Sequence, residues 1–72
     1  MIEKTYSIFI DTKIQNRVVN IENCTLDEAV SIAIVFFDKF STHVGDYVCV
    51  ISDSKVQRTI ILKEGLKVEI QI

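Results

Sequence analysis

Two cysteines, a single histidine and a scatter of carboxylates are the residues of this chain whose types could do covalent, metal or acid–base chemistry. Their spacing assembles none of the usual devices. Cys24 stands just before an expected helix N-terminus, where the helix dipole can lower a thiol pKa. A nucleophilic cysteine also needs a base, and His43 is the sole histidine. The helix expected between them holds the two about 25 Å apart at about 1.5 Å per residue. No Cys–His dyad is therefore expected, and Cys24 reads as a small residue at a strand-to-helix bend. Cys49, on a strand face with Tyr47 and Ile51, reads as a small buried hydrophobe, and His43 reads as a surface loop residue. One histidine with two scattered cysteines offers no zinc spacing. Asp27 and Asp38 share one helix face but lie about 16 Å apart, beyond the separation that paired catalytic carboxylates use. Gly45 and Gly65 are isolated and form no phosphate-cradling loop. No catalytic, cofactor-binding or metal-ligating residue is expected, and the chain reads as a non-enzyme.

Charge argues in the same direction. The net charge is −2 and the pI near 5.2, whereas nucleic-acid affinity comes mainly from lysine and arginine neutralising phosphates. Lys4, Lys13, Arg17, Lys55, Arg58, Lys63 and Lys67 are interleaved with acids and not striped with aromatics, so no nucleic-acid partner is expected. No apolar run reaches the roughly 18 residues needed to span a bilayer. Met1-Ile2-Glu3-Lys4 runs into an alternating strand and not into a secretory signal. The expectation is a soluble, cytoplasmic protein with no membrane partner, its two cysteines reduced.

The 72 residues make one compact domain, 1–72, of a size that buries only about 60% of its unfolded surface. The hydrophobic share of 49% and mean hydropathy of +0.31 exceed what one small core absorbs, which points to apolar surface destined for a partner or a second copy. Residues 5–10 alternate Tyr6, Ile8 and Ile10 against Thr5 and Ser7, with Phe9 out of pattern, and read as a strand. A polar turn at 11–16 leads to a second strand at 17–22. Thr25-Leu26-Asp27-Glu28 is a capping box that starts a helix over 26–40. Leu26, Ala29, Val30, Ala33, Phe36, Phe37 and Phe40 fall in one arc of about 120°. Ile34 and Val35 land in the opposite, polar arc with Asp27, Glu28, Ser31, Asp38 and Lys39, and Ile32 sits at its margin. Strands follow at 47–51, 56–62 and 66–72. Lys63-Glu64-Gly65 fits a three-residue connection with a left-handed glycine, which sets Leu62 opposite Leu66, Ile60 opposite Val68, Arg58 opposite Ile70 and Val56 opposite Ile72.

The order Ile8-Phe9-Ile10, polar turn, strand 18–22 and Thr25-Leu26-Asp27-Glu28-Ala29-Val30 resembles the first half of ubiquitin. Strand 56–62 followed by Lys63-Glu64-Gly65-Leu66-Lys67-Val68-Glu69-Ile70 resembles the close of the sulfur-carrier branch, and the ββαββ immunoglobulin-binding domains of streptococcal protein G are similar too. The resemblance implies the β-grasp fold. That is an α+β domain, ββαββ(β), whose single helix packs on a four- to five-stranded mixed sheet with the last strand parallel to the first. The alternative is an antiparallel ββαβββ meander. Conjugating members of the family act through a C-terminal diglycine, whereas Gln71-Ile72 stands at this position, so the resemblance implies only a non-conjugating role.

If Tyr47, Cys49 and Ile51 face the helix, then Val48, Val50 and Ile61 face outward, joined by Phe9 and Val18. These five residues are the expected interface, with Ile34 and Val35 on the helix as a second patch. The expected function is a non-catalytic protein-binding module that acts stoichiometrically on a larger partner. The Ile-, Lys- and Asn-rich composition fits an AT-rich genome and the type of the small phage inhibitors of host defence, anti-CRISPR proteins included. The alternatives are a ubiquitin-like sulfur carrier or modifier with a further tail, and a structural homo-oligomer, a homodimer first of all, built through the Val48, Val50 and Ile61 face.

Overall fold

The computed structural model describes residues 4–64 and 66–71. The chain runs β1 (Lys4–Asp11), β2 (Asn16–Cys24), α1 (Leu26–Phe40), β3 (Tyr47–Ser52), β4 (Lys55–Lys63) and β5 (Leu66–Gln71). The helix starts where the capping box demands. The Thr25 hydroxyl accepts from the Glu28 amide at 3.2 Å and the Glu28 carboxylate accepts from the Thr25 amide at 2.8 Å, which together satisfy two of the orphan N–H groups of the first turn. It ends at an extended Ser41 whose N–H still reaches the Phe37 carbonyl. Among the described residues no helix is long and apolar enough to cross a membrane.

The five strands form one sheet in the order β2-β1-β3-β4-β5, antiparallel at every pairing. The α+β class with one helix on a five-stranded sheet is as expected. The mixed sheet is not, because β5 lies at the edge beside β4 instead of parallel to β1. The connection from Lys63 to Leu66 is two residues long, and so short a link can only fold a strand back on its neighbour. A parallel return to β1 would need a crossover of about a dozen residues, and both sides of β1 are already taken by β2 and β3.

Ile8, Val48, Val50 and Ile60 are fully buried, with Tyr6, Ile10, Ala29, Ala33 and Phe37 around them. Ala29 and Ala33 stand one turn apart and bring the helix backbone close over β1 and β3. Leu26, Val30, Ile32, Ile34, Phe36 and Phe40 pack at the margin of this core. The helix lies across β3 and β1, touches β2 and β4 at its flanks, and has no backbone contact with β5.

Two sequence expectations change here. Val48 and Val50, expected outward, face the helix. The β1–β3 register places Ile10 opposite Val48 and Ile8 opposite Val50, and directly opposed residues share a face. Tyr47, Cys49 and Ile51 consequently turn away from the helix. The last hairpin is also one residue out of the expected register. It pairs Lys63 with Leu66, Leu62 with Lys67, Ile61 with Val68 and Ile60 with Glu69. A slip of one residue moves every side chain of a strand to the other face. The left-handed glycine expected at Gly65 and the pairing of Ile72 lie outside the described residues.

Left-handed residues shape two further places in the sheet. Asp53 (φ 53°) and Ser54 (φ 61°) form the two-residue link between β3 and β4, a backbone whose twist suits a tight hairpin. Asn23 (φ 55°) sits at an irregularity that pairs Cys24 with Lys4 although Ile21 pairs with Tyr6. The extra residue re-aims Cys24 into the core, where it is 6% exposed.

Because Ala33 is completely buried beneath the sheet, Ala33→Leu should overpack this contact and cost about 1–3 kcal/mol. Val35, 63% exposed, should tolerate Val35→Ala within about 0.5 kcal/mol. Urea unfolding of the two variants checks both values.

Candidate functional site

The face of the sheet opposite the helix carries no covering element among the described residues. Reading across the strands, one row runs Val18, Phe9, Cys49, Thr59. The next runs Asn16, Asp11, Tyr47, Ile61, Val68. On the other side lie Asn20, Ser7, Ile51 and Val56, the last brought opposite Ile51 by a register shift in β4. Phe9 is 45% exposed, Val18 51% and Leu66 69%, while Tyr47, Cys49, Ile51, Val56, Ile61 and Val68 are half-buried.

Within these three rows the one formally charged side chain is Asp11. Its hydrogen bond to Tyr47, with burial adding to it, lifts the Tyr47 phenol above its ordinary value of 10.0. The phenol therefore stays a neutral donor. Phe9, Asp11, Asn16, Arg17, Val18 and Tyr47 line a shallow groove of about 390 Å³ at the β2–β1–β3 corner. The rest of the face is mainly apolar, with Thr59 in its central row and a Ser7–Asn20 hydrogen bond at one side. Its chemistry is that of a surface which loses little by leaving water and gains by burial.

Of the residues expected at an interface, the fold brings Phe9, Val18 and Ile61 together on this face, with Phe9 directly opposite Val18. Val48 and Val50 are removed from it, since both are completely buried under the helix. Ile34 is half-buried at the core margin and Val35 is exposed on the helix, so the pair belongs to a different surface. Tyr47, Cys49, Ile51, Val56, Leu66 and Val68 join the face without having been expected there. Tyr47 carried a usable signal, because a phenol wants a polar partner when half-buried and suits a wet face better than a core of valine and isoleucine.

The residues singled out for chemistry remain apart. Cys24 precedes the helix and its thiol donates to the Ile21 carbonyl at 3.8 Å. His43 lies beyond the helix C-terminus, where its Nδ1 is 2.8 Å from the Thr42 hydroxyl. Cys49 sits on the open face, not in the core, with its thiol 3.5 Å from the Thr59 hydroxyl, and neither cysteine is in a disulfide. Among the described residues no cluster of three metal-ligating side chains occurs.

One carboxylate has a clear structural role that sequence reading passed over. Asp46 is 5% exposed and accepts from the amides of Lys13 at 3.2 Å, Thr42 at 3.0 Å and His43 at 3.0 Å. It thereby ties the loop after the helix to the β1–β2 turn. Burial pushes its carboxyl upward, but the three N–H donors outweigh burial and hold it below its ordinary value of 3.8. A depressed carboxyl contributes stability that is complete above the ordinary value and is lost as pH falls through the folded one.

Two outcomes follow from this geometry. Wild type should resist urea better than Asp46→Asn at neutral pH, and that advantage should shrink only in acid, below 3.8. Cys49 should react with a thiol reagent at least about tenfold faster than the buried Cys24, as followed by mass spectrometry of the modified peptides.

Comparison with protein-family models, with characterised proteins and with solved structures gives no match.

Proposed function

We propose that this chain is a non-catalytic binding module that acts stoichiometrically on a larger protein, docking through the sheet face opposite its helix. The observation that carries this reading is the polarity of β5. Its alternation sets Leu66 and Val68 on the open face, and Lys67 and Glu69 on the helix side. An amphipathic strand normally turns its apolar side toward the domain core. Here the apolar side points away from the core that lies between sheet and helix.

The dimensions suit a protein partner. Five strands at about 4.8 Å spacing give a face about 19 Å across. Strands of six to nine residues at about 3.3 Å each make it about 20–30 Å long. That footprint is of the order of one side of a standard interface, about 800 Å² per partner. The partner surface that fits is itself apolar at its centre, because the middle of the face has no charge to pair, and polar where it meets Asp11 and Tyr47.

Phe9 and Val18 are exposed, so Phe9→Lys and Val18→Lys should leave the fold within about 0.5 kcal/mol of wild type. Placed in the docked face, each should weaken a complex by roughly 2 kcal/mol or more, about thirtyfold. The measurement is the mass and stoichiometry of the complex isolated from native cells by tagged wild type and by each variant. A one-to-one complex with a larger protein, lost with both lysines, supports the reading. The same complex held at full strength by both variants overturns it.

A further inference from the structure

Strand β5 is an edge of the sheet and the helix does not reach it. A bare edge presents unpaired N–H and C=O groups that can template another strand. The opposite edge, β2, is blunted by the irregularity at Asn23, whereas β5 pairs with β4 without a register shift. Which groups of β5 point outward follows from its hairpin. The Lys63–Leu66 pair closes a two-residue link that begins with a left-handed Glu64 (φ 50°). On the far side of β4, Leu62 accepts from the Gly45 N–H at 2.8 Å and donates to the Asp46 carbonyl at 2.9 Å, so the next residue, Lys63, turns its own backbone groups toward β5. The backbone groups of Leu66 therefore point at β4, and alternation turns those of Lys67 and Glu69 outward to the free edge.

A second β5 running antiparallel can bond only in registers that oppose outward-pointing residues to one another. Centring the pair on Lys67 sets Lys67 against Lys67, and centring it on Glu69 sets Glu69 against Glu69. Both place like charges directly opposite, which is destabilising. Centring on Val68 sets Lys67 of each copy against Glu69 of the other, twice over by symmetry.

We propose that two copies of this chain pair antiparallel along β5, about a two-fold axis at Val68, into one sheet with five strands from each copy. The two Lys67–Glu69 pairs lie on the helix side, and Val68 meets Val68 of the second copy on the open side. The existing contact of Lys67 Nζ with Asp38 Oδ1, 3.7 Å between well-exposed side chains, is a weak surface pair that leaves the lysine available. This assembly uses the edge of the sheet and leaves the open face free, so it stands or falls separately from the docking proposed above.

The test is the solution mass by light scattering and sedimentation over a concentration series. Lys67→Glu and Glu69→Lys, each alone, should weaken the wild-type dimer roughly tenfold to a hundredfold while circular dichroism shows an unchanged fold. An equimolar mixture of the two single variants should form a heterodimer, and the double variant carrying both changes should dimerise as wild type does. A wild type that stays monomeric throughout overturns the proposal. So does a dimer indifferent to both reversals, and so do single variants that dissociate without rescue by mixing or by the swap. A dimer broken by Phe9→Lys but not by the charge reversals would assign self-association to the open face instead.

Discussion

One helix is too narrow to cover five strands, and most of this structure follows from that mismatch. A fifteen-residue helix is about 22 Å long and about 10 Å wide with its side chains, whereas the sheet measures about 19 Å between its edge strands. The helix therefore has to choose. It lies on β1 and β3 in the middle, and close seating through Ala29 and Ala33 seals Ile8, Val48, Val50 and Ile60 completely. Strand β5 is left beyond its reach. There the helix side of the sheet carries Lys67 and Glu69, side chains that water must solvate, and Lys67 reaches back to the helix through a loose ion pair with Asp38.

The other side of the sheet has no cover at all among the described residues, yet it is not built as a solvated face. Four of its five strands carry apolar residues on both sides, and the fifth carries them on the uncovered side. A domain this small has little apolar area to spare for stability. Phe9, Val18 and Leu66 are exposed apolar area that this core does not bury. The edge of β5 adds a second opening of a different kind, one that offers hydrogen bonds and charge register where the face offers apolar area. Both openings arise from the same narrow cover.

Loops hold the arrangement by local chemistry. Asp46 closes the turn after the helix onto the β1–β2 turn with three amide donors, and the gain from those bonds exceeds the burial cost of its charge. Lys4 Nζ reaches Asp53 Oδ2 at 2.8 Å and ties the first strand to the β3–β4 link. The Lys13–Asp46 and Lys4–Asp53 contacts join segments distant in the chain, so no short window of residues announces them.

What the amino-acid order determined alone is what depends on neighbours along the chain. The capping box at Thr25 and Glu28, the apolar stripe from Leu26 to Phe40 and the approximate limits of the strands all rest on local hydrogen bonds and periodicity. What the tertiary structure decided is which face each strand turns inward and what lies beside what. Strand β3 reads Tyr-Val-Cys-Val-Ile, apolar at every position, so its pattern is equally satisfied either way up. Only pairing with Ile8 and Ile10 of β1 chose Val48 and Val50 for the core. In β5 the alternation was plain, but its direction hung on whether the link from β4 held two residues or three, and the shorter one turned Val68 outward. A period of two carries no sign. The sign comes from the partner strand, and that partner exists only once the chain has folded.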